Sequence, residues 1–148
     1  MKTVIEKVVH LQNVELFAEV PSEQLSYIAS ISNIIEMEKG DTLFKEGEDS
    51  ESLHVLFIGS ITMQSEGEDT FKIGENETVG ALGFFDQKPR IFTAVCDEDC
   101  IILEIDSGAF FDLLEEKIHI TRYLLKFFVS KLRSVYENDK ELKFLAGL

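Results

Sequence analysis

The sequence predicts a mainly β domain flanked by α-helices, and three changes of pattern along the chain lead to that prediction. Apolar residues recur at helical spacing over about the first thirty positions. From Asn33 the spacing changes to two, and short β-rich runs follow roughly every ten residues, separated by glycines such as Gly40 and Gly47. Helical spacing returns at Asp106–Ser107. Short, evenly spaced strands are typical of a small antiparallel barrel or a jelly roll rather than of a parallel sheet.

The N-terminal segment, residues 1–32, is predicted to form helices. A second helix begins at Pro21–Ser22, where a proline or serine cap precedes a periodic apolar run. The first helix carries its apolar residues on one side, and these are Val4, Ile5, Val8, Val9 and Leu11.

Residues 33–106 are predicted to form the β-roll. The stretch from Ser52 to Asp69 contains two β-rich runs joined at Gly59–Ser60, which is the pattern of a hairpin. Short strands with glycine turns continue to Gly80, and two further strands surround the acidic turn Asp97–Asp99.

Residues 107–148 are predicted to form the C-terminal helices, which complete a single domain of 148 residues. Asp106 or Ser107 caps the first of them. A long helical pattern then runs from Ile118 toward Leu145, with an apolar seam interrupted at Thr121 and Asp139. The seam residues are Ile118, Leu125, Phe128, Leu132, Val135, Leu142 and Ala146.

The charge and hydropathy of the chain argue against nucleic acids and membranes as partners. Asp and Glu number 28 against 14 Lys and Arg, a formal net charge of −14, whereas phosphate binding needs clustered cations. The sequence contains no run of about 18 apolar residues, which is the length that a helix needs to span a bilayer. The N-terminus lacks the apolar core of a signal peptide, so we expect a cytoplasmic protein.

No motif in the sequence predicts catalysis or a metal site. The spacing of His10, His54 and His119 to serine, cysteine or carboxylate residues matches no recognisable catalytic motif. Cys96 and Cys100 have no further cysteine or nearby histidine to complete the four ligands of a structural zinc, so we interpret them as reduced structural thiols. We therefore expect no enzyme, no catalytic residue, no bound metal and no cofactor.

Arg90 is the residue on which functional interpretation depends. It follows Pro89 inside a glycine-containing stretch, Val79–Ala94, which reads VGALGFFDQKPRIFTA. Two interpretations stay open. Arg90 either pairs with a carboxylate such as Asp86 as a structural tie, or binds an anion that the acidic remainder of the surface would repel. Some partner is required if it is partly buried, because an unpaired buried charge is costly.

The order of these features resembles the cyclic nucleotide-binding domain, the jelly roll shared by catabolite-activator-type regulators, kinase regulatory subunits and gated channels. In that family a Gly-Asp and a Gly-acidic pair space the early strands, as Gly40–Asp41 and Gly47–Glu48 do here. The family's phosphate-binding cassette, approximately F-G-E-L-A-L-x-x-x-x-P-R-A/S/T-A, matches Val79–Ala94. The resemblance spans about Leu11 to Tyr136 and implies an antiparallel jelly roll, or double-stranded β-helix, with N-terminal helices and a C-terminal helical pair.

The resemblance also implies a ligand site in this cassette. Backbone N–H groups after Gly80 and the guanidinium of Arg90 would bind a phosphate. The sequence departs from the family at two points. The family's glutamate, which accepts from the ribose 2′-hydroxyl, is Ala81 here, and the small residue after the arginine is Ile91. The residues assigned to the ligand are Gly80, Ala81, Leu82, Gly83, Arg90, Ile91 and Thr93.

From this resemblance we expect a regulatory sensor domain. It would bind cyclic AMP, cyclic GMP or another small anionic ligand and relay binding through the helix from Ile118. The alternative, favoured by Ala81 and Ile91, is a domain without a nucleotide ligand that serves as a protein-interaction or dimerisation module. The seam either packs on its own barrel or joins a homodimer. Twelve residues follow Tyr136, so we expect no helix-turn-helix domain there and no transcription factor.

Overall fold

Two four-stranded sheets form the centre of the protein in the computed structural model, which describes residues 3–146 apart from the side chains of Phe144 and Ala146. The first sheet has the order β1-β8-β3-β6 and the second β2-β7-β4-β5, with antiparallel neighbours throughout. This arrangement confirms the predicted antiparallel jelly roll. The strands are β1 Ser32–Met37, β2 Thr42–Phe44, β3 Ser52–Ile58, β4 Ile61–Ser65, β5 Glu68–Ile73, β6 Thr78–Val79, β7 Thr93–Cys96 and β8 Cys100–Asp106.

The predicted hairpin at Gly59–Ser60 is wrong, because the chain changes sheets there. β3 pairs with β6 and β8, whereas β4 pairs with β5 and β7. Gly59 has a φ of 114°, and a Cβ at this position would lie 2.6 Å from Sγ of Cys100. Glycine is therefore required for close approach at a corner of the roll rather than for a two-residue hairpin turn.

Helices flank the roll at both ends as predicted, but the first one buries less of its apolar side than expected. Leu11 is buried and Val8 is partly buried, whereas Val4, Ile5 and Val9 are exposed. The helices are α1 Val4–Leu11, α2 Ser22–Ser30, α3 Ala81–Asp86, α4 Ser107–Glu116, α5 Ile118–Asn138 and α6 Lys143–Ala146, with a 3-10 turn at Glu15–Phe17.

The C-terminal helical pattern is shorter than predicted. Asp106 caps α4 by accepting a hydrogen bond from the Ala109 amide at 3.0 Å. α5 ends at Asn138, and Asp139 takes an extended conformation that breaks the predicted continuation toward Leu145. The seam therefore does not continue as one helix, and its last member, the side chain of Ala146, lies outside the described residues. None of the described helices is long and apolar enough to cross a membrane.

The first sheet is the central layer of the protein, because it is covered on both faces. Leu53, Val55 and Phe57 of β3 pack against the helices, while Leu56 packs between the two sheets. Both cysteines lie in the inter-sheet core as free thiols. The pKa of Cys96 is raised to about 12, and burial is the largest cause of this shift. The continuous apolar run of residues 55–57 in β3 follows from this two-sided burial.

His54 is a buried polar residue within β3. Its Nε2 lies 2.9 Å from Oε2 of Glu104, its cross-strand neighbour on β8. No hydrogen-bond partner of Nδ1 occurs in the part of the chain that the structure describes. Burial lowers the pKa of His54, and the Glu104 carboxylate only partly opposes that effect. The imidazole is therefore held neutral, with its proton on Nε2 facing the carboxylate.

We expect His54 to make stability depend on pH. Because its folded pKa lies below the ordinary 6.5, its contribution is complete above that value and is lost as the pH falls toward the folded pKa. Urea unfolding between about pH 7.5 and pH 5 should show wild type losing more stability than His54→Gln, by up to about 1.4 kcal/mol per pH unit. The exposed His119→Gln serves as the control. Parallel pH profiles for wild type and His54→Gln would contradict this account.

Candidate functional site

A cavity of about 180 Å³ lies between the second sheet and α3. Its walls are apolar side chains and glycines except for Thr78 and Arg90. It therefore offers a single charged group within an apolar surface. The lining residues are Phe44, Met63, Phe71, Ile73, Thr78, Gly80, Ala81, Leu82, Gly83, Arg90, Ile91 and Phe92.

The guanidinium of Arg90 is held by main-chain atoms and by an aromatic ring. The residue is 5% exposed. Nη1 donates to the Gly80 carbonyl at 3.0 Å, and Nη2 donates to the Ser52 carbonyl at 2.6 Å. Cζ lies 4.1 Å from the centroid of the Phe44 ring, a cation–π contact. The buried Nε has no hydrogen-bond partner among the described residues.

The charge of Arg90 is not neutralised by an ion pair. Over residues 3–146, no carboxylate forms a salt bridge with it. Asp86, the candidate for a structural tie, instead accepts a hydrogen bond from the Lys88 amide at 3.2 Å. Burial lowers the pKa of Arg90, and the more distant charge of Glu48 opposes this shift. The guanidinium remains charged, because an arginine side chain is not deprotonated in proteins near neutral pH.

Gly80 makes the close approach of α3 to Arg90 possible. Its φ is 80°, in the left-handed region, and a Cβ at this position would lie 2.2 Å from Nη1 of Arg90. The residue therefore needs to be glycine both for its conformation and for the space that the guanidinium fills.

Six of the seven residues that the sequence analysis assigned to a ligand line this one cavity. Leu82 and Ile91 stand at its rim, 65% and 56% exposed. Thr93 is not among the lining residues, and its Oγ1 accepts a hydrogen bond from the Glu46 amide at 2.9 Å. The apolar wall of the cavity was not predicted, although the alternation that places Phe71 and Ile73 on one face of β5 is a signal that could have indicated it.

An aromatic cluster connects α3 to the C-terminal helices. The ring centroids of Phe84 in α3 and Phe110 in α4 lie 5.3 Å apart. The ring centroids of Phe85 in α3 and Phe128 in α5 lie 5.1 Å apart. The edge-to-face geometry of these pairs is the favoured one for aromatic rings. The helix that walls the cavity is thereby in direct contact with both C-terminal helices, and Phe128 belongs to this contact rather than to an exposed seam.

Proteins with similar sequences include regulators. The sequence model of the cyclic nucleotide-binding domain matches residues 34–117. A CRP-like cAMP-activated global transcriptional regulator of Mycobacterium tuberculosis is 24% identical over 115 residues, covering 74% of this chain and 51% of that protein. An anaerobic regulatory protein of Bacillus subtilis is 30% identical over 129 residues, covering 83% and 54% respectively. The chain thus spans about half the length of the curated relatives it matches.

A solved structure agrees with the match to the family model. The N-terminal domain of a transcriptional regulator from Streptomyces coelicolor matches with a TM-score of 0.76 at 25% identity, covering 87% of this chain and 93% of that one. The fold and these relatives define a regulatory domain. The chain belongs to the cyclic nucleotide-binding domain family, which confirms the resemblance noted in the sequence.

We expect Gly80→Ala to destabilise the protein. The left-handed φ alone costs a non-glycine residue about 1–3 kcal/mol, and the new Cβ also displaces Nη1 of Arg90. Gly74→Ala is the matched control, because its Cβ would meet only the flexible end of Glu77 at 3.3 Å. Urea unfolding should show the loss for Gly80→Ala and a change within about 0.5 kcal/mol for Gly74→Ala. Equal losses in the two variants would count against the assigned role of Gly80.

Proposed function

We propose that this domain is a regulatory sensor that binds a small anionic ligand in the cavity beside Arg90. The observation that carries the proposal is a buried guanidinium with no carboxylate partner in the described chain, placed in the wall of a cavity. The net charge of −14 makes such a site unusual for this surface, since most of the molecule repels anions.

The hydrogen bonds of Arg90 leave donors for a ligand. A guanidinium carries five N–H groups in a planar fork. Two of them bond to the carbonyls of Gly80 and Ser52. The remaining three include Nε, whose lack of a partner in the described part of the molecule is costly for a buried donor. An anionic oxygen at the guanidinium would form charge-assisted hydrogen bonds with the N–H groups that Nη1 and Nη2 still have to offer.

The aromatic cluster supports a relay from the cavity to the C-terminal helices. A ligand that contacts Ala81 to Gly83 would bear on α3, whose Phe84 and Phe85 pack against α4 and α5. Packed aromatic rings do not deform continuously, so a shift of α3 would favour a different packing of α5. The ligand would thus bias two arrangements of the C-terminal helices.

We expect cyclic AMP to bind wild type weakly and Ala81→Glu more tightly. Position 81 lines the cavity but offers no acceptor to a ribose hydroxyl. A hydrogen bond to a charged group contributes about 1.5–3 kcal/mol, so Ala81→Glu should raise affinity about tenfold to a hundredfold in calorimetry. Arg90→Gln should abolish the binding of either protein. The proposal fails if affinity for every anion tested is the same with and without Arg90.

The relay can be followed in the same titrations. The chain has no tryptophan, so Phe128→Trp introduces a single reporter at the contact between α3 and α5. Ligand binding should change its emission. A second variant, Phe71→Trp, places the reporter in the wall of the cavity. Comparing the emission changes of the two variants distinguishes a local response from a response that reaches α5.

A second candidate function is a dimerisation or interaction module, and the outer face of α5 favours it. Leu125, Val129 and Leu132 stand at helical spacing on one side and are 60%, 49% and 42% exposed. This stripe, Leu125–Val129–Leu132, replaces the predicted seam, whose Phe128 is turned toward Phe85. A homodimer through the stripe is compatible with a ligand in the cavity.

We expect Leu132→Glu to weaken any self-association measured by analytical ultracentrifugation. A buried glutamate at the centre of an apolar interface carries an uncompensated desolvation cost. Ser134→Glu is the control, since it adds the same charge at an exposed position on the opposite side of α5. The candidate homodimer would be ruled out if the wild-type protein sedimented as a monomer at all concentrations.

A further inference from the structure

We propose that the preferred ligand of this cavity is a small apolar monocarboxylate, an acid whose body is a hydrocarbon chain or a single aromatic ring, rather than a cyclic nucleotide. The inference rests on the proposed function, because it assigns a chemical class to the anion that would bind beside Arg90. Its support comes from the charge, the walls, the polar groups and the size of the cavity.

The charge of the cavity suits one anionic group. Arg90 is the single ionisable side chain among the lining residues of the described structure. A carboxylate places two oxygens in one plane, which matches two neighbouring N–H groups of a guanidinium. Nη1 and Nη2 of Arg90 each keep one N–H group that is not bonded to the carbonyls of Gly80 and Ser52. A second anionic group on the ligand would find no second cation among the described residues that line the cavity.

The walls suit an apolar body. Phe44, Phe71 and Phe92 line the cavity, and the last two form an edge-to-face pair with 5.1 Å between ring centroids. Leu82 and Ile91 stand exposed at the rim. A hydrocarbon or aromatic body would remove these side chains from water, which is favourable in proportion to the apolar area that is covered.

The scarcity of polar groups disfavours a nucleotide. Thr78 is the one uncharged polar side chain among the residues described as lining the cavity. Ala81 cannot accept a hydrogen bond from a ribose hydroxyl. A hydroxyl that loses water without gaining a hydrogen-bond partner is penalised. An acid without hydroxyl groups avoids the penalty.

The size of the cavity agrees with this assignment. Its volume is about 180 Å³. An apolar cavity of about 150 Å³ engineered in another protein binds benzene. One aromatic ring or a short alkyl chain, with its carboxylate turned to Arg90, therefore fills the space that the structure provides.

The test is calorimetry and thermal melting of the full chain with phenylacetate, hexanoate, phenylacetamide and cyclic AMP. We expect phenylacetate or hexanoate to bind and to raise the melting temperature, and the stronger of the two assigns the body as aromatic or aliphatic. The neutral phenylacetamide should bind at least about tenfold more weakly than phenylacetate, because it lacks the charge that Arg90 recognises. Cyclic AMP should also bind more weakly than the preferred acid.

Variants locate the binding. Arg90→Gln should remove the response to the acid, whereas Lys88→Gln, which removes a nearby exposed cation outside the cavity lining, should keep it. Ala81→Glu supplies a test that does not depend on the folding of Arg90→Gln. The added carboxylate in the cavity wall should lower the affinity for the acid by about tenfold or more and raise the affinity for cyclic AMP. The affinities of the two ligands should therefore change in opposite directions.

The outcomes separate this inference from the proposed function. Arg90-dependent binding of cyclic AMP that is tighter than that of either acid would overturn the inference and leave the sensor proposal standing. Equal affinities for phenylacetate and phenylacetamide would also overturn it, since the charge would then play no part. If none of the four compounds responds to Arg90→Gln, both proposals fall.

Discussion

The burial of one guanidinium without a carboxylate is the constraint on which this structure depends. Arg90 satisfies two of its donors with the carbonyls of Gly80 and Ser52, and it rests on the ring of Phe44. These partners come from both sheets and from the start of α3. Its own main chain is also bonded, because the Arg90 amide donates to Glu48 and its carbonyl accepts from Gly47, each at 2.7 Å. One residue thereby joins the strands, the loop before β3 and the cassette.

The layering of the fold places α3 between the cavity and the C-terminal helices. The first sheet is buried on both faces, and its helix-side core contains residues of α1, α2, α4 and α5 together with Phe84 of α3. The cavity lies at the other side of α3. α3 therefore stands between the ligand site and the helical layer, with Phe85 against Phe128 at the far end. The proposed relay depends on this position of α3, because a displacement of the helix would reach α4 and α5 through the packed aromatic rings.

The sequence predicted the architecture and most of the cassette because both have local signatures. Strand spacing, the cap at Asp106 and the glycines around Arg90 are all visible in short windows. The prediction of a hairpin at Gly59 failed, because a turn signal shows that the chain bends and does not show which sheet the next strand joins. The sequence left open whether the seam packs on its own domain or on a partner, since a heptad pattern does not indicate which neighbour covers a position such as Phe128. The apolar wall and the His54–Glu104 pair depend on residues far apart in sequence, and a reading by segments does not bring them together.

The use of main-chain carbonyls to hold Arg90 has a consequence for how this site can evolve. A peptide carbonyl is present whichever amino acid occupies position 52, so the anchoring bond survives substitution there. Positions 80 and 83 are tightly restricted by their surroundings, because a Cβ would lie 2.2 Å from a neighbouring side chain at the first and 2.3 Å at the second. The surrounding wall can then drift through apolar, polar or acidic residues while the cation stays in place. A lineage with this arrangement could exchange one class of small acid for another through single replacements, without rebuilding the scaffold.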